Sequence, residues 1–323
     1  MKDRFGREIE YVRISITQNC NLKCIYCGTD ASKSGTECDH ARATGFDPAE
    51  IKTVVAIMAG LGITKVRITG GEPLLRPDIC EIIHGIASIK EIADLSVTTN
   101  GVSLHQMARE LKKAGLKRIN ISLDSLQAER FRLITGGGNL GMVLDGIFQA
   151  LDFGLLPVKI NTVLVKGVND DEIDDFIGFS KDYPVEIRFI ELMPIGRFGE
   201  QNSEKIISNR DIIRSHPELV KWIANEPGGV AAYYQVAGFK GKIGFISPMS
   251  HQFCSRCNRI RLTCDGRIKP CLGDNGEVNL LNVLRNNPRK LKALIRQAIY
   301  QKPAGHHFLD GYQSVRNMKE IGG

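Results

Sequence analysis

Three cysteines fall within the eight residues Cys20-Asn21-Leu22-Lys23-Cys24-Ile25-Tyr26-Cys27, with an aromatic just before the last. Three thiolates at this spacing cannot all pair as disulfides, but they can wrap one iron–sulfur cube. With only three ligands, one iron keeps an open position, and an open position on a redox metal invites chemistry. A zinc half-site lacking its fourth ligand is the other reading. A second group lies far downstream: Cys254-x2-Cys257, then Cys264, then Cys271. Four cysteines there suit either a structural zinc ribbon or a second iron–sulfur cluster. Asn258-Arg259-Ile260-Arg261-Leu262 runs between them, and on an extended segment Arg259 and Arg261 project to the same side. Two neighbouring guanidiniums suit a phosphate chain or a carboxylate. Asp265-Gly266 is a hairpin signal that brings Cys271 back towards Cys257.

Other short polar stretches end predicted strands. Thr69-Gly70-Gly71-Glu72-Pro73 offers paired glycines, which let backbone approach a ligand closely or simply make a tight turn. Thr98-Thr99-Asn100-Gly101 and Ser122-Leu123-Asp124-Ser125 put hydrogen-bonding side chains at the same rim, where helix caps would look alike.

The elements that position these residues alternate as in a parallel βα array. Strands are predicted near 11–16, 65–69, 95–99, 118–123, 157–164 and 185–190. Helices are predicted near 48–60, 78–88, 103–114, 142–153 and 170–180. Each strand has one apolar face and one polar, often cationic, face: Arg13 and Ser15, Lys65 and Arg67, Ser96 and Thr98, Asn120 and Ser122, Lys159 and Asn161, Glu186 and Arg188. Helices cover the apolar faces, so the polar ones point into a common interior. A standard barrel fills that interior with branched apolar side chains. Here it would hold Arg13, Lys65, Arg67, Lys159 and Arg188, and buried charge without compensation is costly. A wet cavity built for a polyanion follows. After Met193-Pro194 the βα rhythm stops; a helix is expected near 208–215, two or three antiparallel strands over 231–249, and a last helix near 288–300. The fold class is therefore α/β: an incomplete (βα)6 TIM-type barrel over 1–229, with a C-terminal antiparallel β extension over 230–323 that carries the second cysteine group. The polar loop 28–46 beside the first group suits a lid or plain disorder.

Composition excludes little. Of 323 residues, 42% are hydrophobic and 24% charged, with a net charge of +7. That charge suits a nucleotide, a nucleic acid or an anionic surface equally. No apolar run approaches the ~20 residues that span a bilayer, and the start of the chain reads as no signal peptide. Nine cysteines in a chain expected to be cytoplasmic favour metal over disulfides. Trp222 is the single tryptophan and aromatics are sparse near the second cysteine group, against nucleic-acid binding.

Cys-x3-Cys-x2-Cys with an aromatic before the last cysteine is the signature of the radical S-adenosylmethionine superfamily, and Gly70-Gly71-Glu72-Pro73 matches its methionine-binding segment. With Arg13, Cys254, Cys257, Cys271, Arg259, Arg261 and a terminal Gly322-Gly323, the chain resembles the GTP 3',8-cyclase family of molybdenum cofactor synthesis over nearly all of its length. The resemblance implies two [4Fe-4S] clusters and S-adenosyl-L-methionine as cofactors. Cys20, Cys24 and Cys27 would hold the first cluster, and Cys254, Cys257 and Cys271 the second. Tyr26, Gly71, Ser122 and Met193 would line the S-adenosylmethionine site. Arg13, Arg67, Thr98, Lys159, Arg259 and Arg261 would hold GTP. A 5'-deoxyadenosyl radical would take the ribose 3' hydrogen, and closure onto C8 would give (8S)-3',8-cyclo-7,8-dihydroguanosine 5'-triphosphate. No side chain is given an acid or base role. The implied partners are GTP, an electron donor and the enzyme of the next pathway step, with no nucleic acid or membrane, in a monomer or homodimer.

Three departures stand out. Gln18-Asn19 replaces an expected Asp-Arg pair, and Cys264 sits where relatives carry a small residue. Cys264 is then either a core thiol or a fourth ligand, and Cys38 and Cys80 have no role, Cys80 reading as core. The Gly322-Gly323 tail either frays or, as in the family, reaches the active site. Competing readings are a peptide-modifying radical enzyme with an auxiliary cluster and a zinc-ribbon nucleic-acid-binding protein.

Overall fold

A computed structural model of the chain describes residues 1–27, 45–223, 229–308 and 310–322. Cys38 and nearly all of the 28–46 loop lie outside the described residues.

Six parallel strands come first: β1 (Tyr11–Ser15), β2 (Lys65–Thr69), β3 (Asp94–Thr99), β4 (Arg118–Ser122), β5 (Val158–Leu164) and β6 (Val185–Glu191). Between them run α1 (Pro48–Ala59), α2 (Ile79–Ala87), α3 (Leu104–Lys113), α4 (Ala128–Thr135), α5 (Leu140–Asp152) and α6 (Ile173–Asp182). α1 starts where its sequence says it should. Asp47 accepts a hydrogen bond from the Glu50 N–H at 2.7 Å, Glu50 accepts from the Asp47 N–H at 3.1 Å, and Pro48 occupies the first turn.

The outward strand faces form the core. Val12, Ile14, Val66, Ile68, Val97, Ile119 and Ile121 are fully buried against Ile51, Val54, Val55 and Met58 of α1 and Ile82, Ile83 and Ile86 of α2, among others. Each such side chain contributes roughly 1.5–3 kcal/mol. Alternation thus sends the remaining strand residues inward.

One helix, α4, is not foreseen from periodicity. It buries only Phe131, Ile134 and Thr135 and leaves Leu133 exposed, too short a stripe to read. Its stop signal is visible in the sequence: Gly136 ends it at φ +67°. Asn139 then caps α5 by accepting from the Met142 N–H.

After α7 (Gly196–Gln201) and α8 (Asn209–Ser215) come β7 (Val220–Trp222), β8 (Ala232–Gln235) and β9 (Lys242–Ile246); β8 and β9 form the antiparallel pair expected over 231–249, and β7, not foreseen from the sequence, pairs antiparallel with β8. β9, however, pairs parallel to β6. β10 (Arg259–Leu262) pairs parallel to β1 and is followed by antiparallel β11 (Arg267–Lys269) and β12 (Val278–Asn279). The sheet order is β12-β11-β10-β1-β2-β3-β4-β5-β6-β9-β8-β7. The C-terminal part thus adds one parallel strand to each edge of the six and an antiparallel flank beyond it. Among the described residues β9 and β10 do not pair, so the barrel is incomplete. α9 (Leu281–Asn286), α10 (Leu291–Tyr300) and α11 (Met318–Ile321) complete the chain.

Strand direction fixes where the cysteines lie. The first group follows β1, at the carboxyl end of the barrel. Cys254 and Cys257 precede β10, which runs with β1, and Cys271 follows β11, which runs against it. The second group therefore sits at the opposite end.

Candidate active site

A cavity of about 540 Å³ occupies the barrel interior. It is lined by Arg13, Arg67, Thr98, Lys159, Arg259 and Arg261, and also by Tyr26, Ser122 and Met193. These are the side chains expected to hold GTP and S-adenosylmethionine, except Gly71. Gly71 instead lies against the backbone of Gln18 and Asn19, where a Cβ would clash. The Gly71 N–H donates to the Thr17 carbonyl and the Glu72 N–H to the Asn19 carbonyl, each at 2.7 Å. The paired glycines thus seat this segment directly on the chain that enters Cys20.

Register explains the cation row. Arg261, Arg13 and Arg67 are consecutive partners across β10, β1 and β2, with Ser96 next on β3. One layer towards the second cysteine group, Arg259, Tyr11 and Lys65 align in the same way. Lys65 pairs with Glu10 at 2.8 Å, Arg118 with Asp94, and Lys159 with Glu186 at 2.7 Å. Arg13, Arg67, Arg188, Arg259 and Arg261 make no ion pair with a carboxylate among the described residues. Arg67 is 7% exposed, and its polar contact is the Ser96 hydroxyl at 3.4 Å. The Nε atoms of Arg13 and Arg188 are buried without a hydrogen-bond partner among the described residues, as is the Thr98 hydroxyl. Burial pushes the Arg261 guanidinium down to about 9, and Arg13 and Arg259 beside it push the same way. Burial, with Arg13 and Arg188 nearby, holds Arg67 far below the usual guanidinium range. Such a cluster is complementary to a polyanion.

Tyr11 is a site residue that pattern reading missed. It shares the inward face of Arg13, lines the cavity, and keeps its hydroxyl buried with no hydrogen-bond partner among the described residues. Arg67 and Arg259 lie over its ring, 5.5 and 5.9 Å from the centroid. Burial alone would raise its phenol; Arg67, then Arg13, Arg118 and Arg259, outweigh that and lower it to about 8. Arg188 and Asn161, read as inward-facing but given no role, also line the cavity. The alternation of β1 contained the signal for Tyr11, since residues 11, 13 and 15 share one face.

The first cysteine loop is held by a chain of contacts. Glu72 accepts from the Thr99 hydroxyl at 2.7 Å and from the Asn100 and Leu74 N–H groups at 2.6 and 3.0 Å. Burial nevertheless raises its carboxyl to about 7. Asn100 in turn donates to Cys20 Sγ at 3.8 Å and to Asn21. The Lys23 and Ile25 N–H groups donate to Thr135 and Ile134 at the end of α4, at 2.8 and 2.9 Å. The overlooked helix therefore anchors the cysteine loop. Tyr26 donates its hydroxyl to Asp124, whose other oxygen accepts from the Val163 N–H at 2.8 Å. Burial pushes Asp124 up to about 6.

Burial raises the Cys27 thiol to about 11, with Cys20 adding to the rise, and raises Cys24 further still, with Asp124, Cys27 and Cys20 adding to it. Cys20 acts on both Cys24 and Cys27, and Cys27 acts on Cys24, so the three thiols lie near one another. At the other end Cys257 and Cys254 act on Cys271. Burial would raise Cys257, yet Lys302, Arg259 and Arg7 bring it below the usual thiol range. Among the described residues no three ligand-type side chains close around a single point as one metal ion requires. Two triads of soft thiols at opposite ends of the barrel have the chemistry to hold one iron–sulfur cluster each.

Cys264 is 3% exposed and belongs to the apolar interior, and Cys80 packs partly buried against the core. Through Gly322 the C-terminal tail is tied to the barrel. Arg261 donates to the carbonyls of Ile321, at 3.1 Å, and of Gly322, and a Cβ on Gly322 would strike Thr69 and Ser15. Gly323 lies outside the described residues.

A partial barrel with this cysteine loop at its carboxyl end is the core of a radical S-adenosylmethionine enzyme, and residues 14–180 match the family model described as Radical SAM superfamily. Residues 185–308 match the model described as Molybdenum Cofactor Synthesis C. A solved Streptococcus suis SuiB structure, bound to its precursor peptide SuiA, superposes with a TM-score of 0.61 at 14% identity, covering 94% of this chain and 73% of that one, a likeness of fold alone. The chain is 46% identical to a protein of Alkaliphilus oremlandii named GTP 3',8-cyclase, over all of both chains. It is also 46% identical to one of that name from Listeria monocytogenes, over 100% of this chain and 99% of the other. The chain belongs to the GTP 3',8-cyclase family. No helix among the described residues is long and apolar enough to cross a membrane.

Proposed function

We propose that this protein is a radical S-adenosylmethionine enzyme that cyclises GTP to (8S)-3',8-cyclo-7,8-dihydroguanosine 5'-triphosphate in molybdenum cofactor synthesis. The observation that carries the reading is the barrel cavity, whose lining includes Tyr26, Asn258 and Leu272, each next in sequence to a triad cysteine, and five arginines without a carboxylate partner among the described residues. A triphosphate supplies the missing countercharge. The cofactors are two [4Fe-4S] clusters and S-adenosylmethionine. Cys20, Cys24 and Cys27 would hold the first cluster, and Cys254, Cys257 and Cys271 the second. When bound, the first cluster and S-adenosylmethionine supply the one-electron chemistry that begins removal of the ribose 3' hydrogen.

The chain's own residues position and shield. Arg13, Arg67, Thr98, Lys159, Arg259 and Arg261 bind the substrate, the arginines gripping its phosphates. Tyr26, Gly71, Ser122 and Met193 border the S-adenosylmethionine end, with Asp124 fixing the Tyr26 ring. The tail around Gly322 closes over Thr69 and Ser15 and helps keep water from a reactive centre. An electron donor and the enzyme that takes the cyclised nucleotide are the partners this chemistry requires, and a reducing cytoplasm would keep the thiols free. Residues 1–229 would supply the first six barrel strands, and 230–323 would add β9 and β10 to its edges and hold the second cluster. The direct test is whether GTP, and not ATP or a peptide, triggers 5'-deoxyadenosine formation.

A further inference from the structure

Lys302 follows α10 and is 2% exposed. Its ammonium donates to the Pro270 carbonyl at 2.6 Å, immediately before Cys271. No carboxylate pairs with it among the described residues. A buried ammonium with one hydrogen bond and no countercharge is expensive, so the space beside it calls for something negative.

The surroundings narrow what that is. Residues 303–305 wrap the same cysteine frame. Arg7 donates to the Cys254 carbonyl at 2.8 Å and to the Ala304 and Pro303 carbonyls at 2.9 and 2.5 Å. A Cβ on Gly305 would lie 3.8 Å from Cys254 Sγ. Arg7 is neutralised by Asp3 at 2.7 Å. Arg259 faces the cavity over the rings of Tyr11 and Phe253. Among the described residues, Lys302 is thus a buried cation at this frame with neither a carboxylate nor an aromatic ring against it. A cluster held by three thiolates is net negative, and gains one more negative charge on reduction.

We infer that Lys302 is the counter-ion of the second iron–sulfur cluster, a positioning residue that favours its reduced state and steadies Cys271 through the Pro270 carbonyl. This rests on the reading of Cys254, Cys257 and Cys271 as cluster ligands. The first cysteine loop has a different setting: a neighbouring carboxylate, Asp124, acts on Cys24, and the cation that acts on Cys20 and Cys27 is Lys319, which is only half-buried.

The test is an anaerobic redox titration of the reconstituted holoenzyme followed by electron paramagnetic resonance. The first cluster is recognised as the signal that S-adenosylmethionine perturbs. Lys302→Met should shift the reduction equilibrium of the other signal about tenfold towards the oxidised form, about 59 mV for one electron. Lys302→Arg should restore it, and the first signal should not move in either variant. Loss of the second cluster from Lys302→Met but not from Lys302→Arg would also support the inference. An unshifted potential in Lys302→Met, or equal cluster loss in both variants, would overturn it while leaving the ligand reading intact. Wild-type protein that assembles only one cluster would overturn the ligand reading itself.

Discussion

Arg13 on β1 and Arg261 on β10 are direct partners across a parallel strand pair, although they come from opposite ends of the chain. Arg67 continues the row on β2. Like charges so placed repel, and the triphosphate proposed to bind there would relieve that repulsion. Replacing Arg67 by Met should therefore have two opposite effects. The ligand-free protein should melt at a higher temperature, since an uncompensated buried charge is gone. GTP affinity should fall about tenfold to a hundredfold, as expected for a lost hydrogen bond to a charged group. Calorimetric melting and equilibrium binding check both halves. A variant that melts lower and binds normally would make Arg67 structural.

Tyr11→Phe keeps the ring beneath Arg67 and Arg259 and removes only the unpartnered hydroxyl. It should weaken GTP binding roughly tenfold, the scale of a hydrogen bond to an anionic oxygen, while iron content stays unchanged. Guanosine, which has no phosphate, should show no such difference. The wild type should also lose affinity as pH rises through about 8, where the free protein's phenol ionises and can no longer donate. In that range each further pH unit should weaken binding up to about tenfold, and Tyr11→Phe should show a flatter profile. Identical profiles for the two proteins would remove Tyr11 from the binding site.

Cys264→Ser should leave iron and sulfide content at the wild-type level. The thiols that act on Cys271 are Cys257 and Cys254, and Cys264 is counted with the apolar interior. Iron analysis after anaerobic reconstitution checks this. A loss of about half the iron would make Cys264 a fourth ligand and close the open position at the second cluster.

His216 ties α8 to α6 through Asp174, with Nε2 2.8 Å from the carboxylate. Burial alone would lower its pKa; the Asp174 hydrogen bond and the Ile212 carbonyl together raise it instead. The folded value thus exceeds the unfolded one, so this stabilisation is complete at acid pH and is lost as pH rises through the folded value. His216→Ala should cost up to about 1 kcal/mol below that range and less above it, in keeping with a pair that has one exposed partner. Melting curves at several pH values decide it; a cost independent of pH would mean the ring acts only by packing.

Local pattern revealed most of this architecture because β1 to β6 each carry an unbroken alternation whose two faces have different chemistry. Arg13, Arg67, Thr98 and Lys159 could be placed inward on that basis alone, and all four line the cavity. What local pattern could not supply is partnership between distant segments. Arg259 and Arg261 read correctly as sharing a side, but nothing in Arg259–Leu262 says that it pairs parallel to β1 and extends the barrel. The same holds for β9 against β6. Tyr11 was hidden by its type: an aromatic at the head of a strand looks like core until its neighbours prove to be guanidiniums. Lys302 was hidden because its partners, Pro270 and the cysteine frame, meet it only in three dimensions.

The central claim is that GTP is what this radical site is built around. Anaerobically reduced holoenzyme given S-adenosylmethionine should form 5'-deoxyadenosine when GTP is present and very little without it, and GTP deuterated at the ribose 3' position should pass deuterium into that product. Deuterium absent from the 5'-deoxyadenosine, or turnover driven by ATP or a peptide while GTP stays inert, would contradict it.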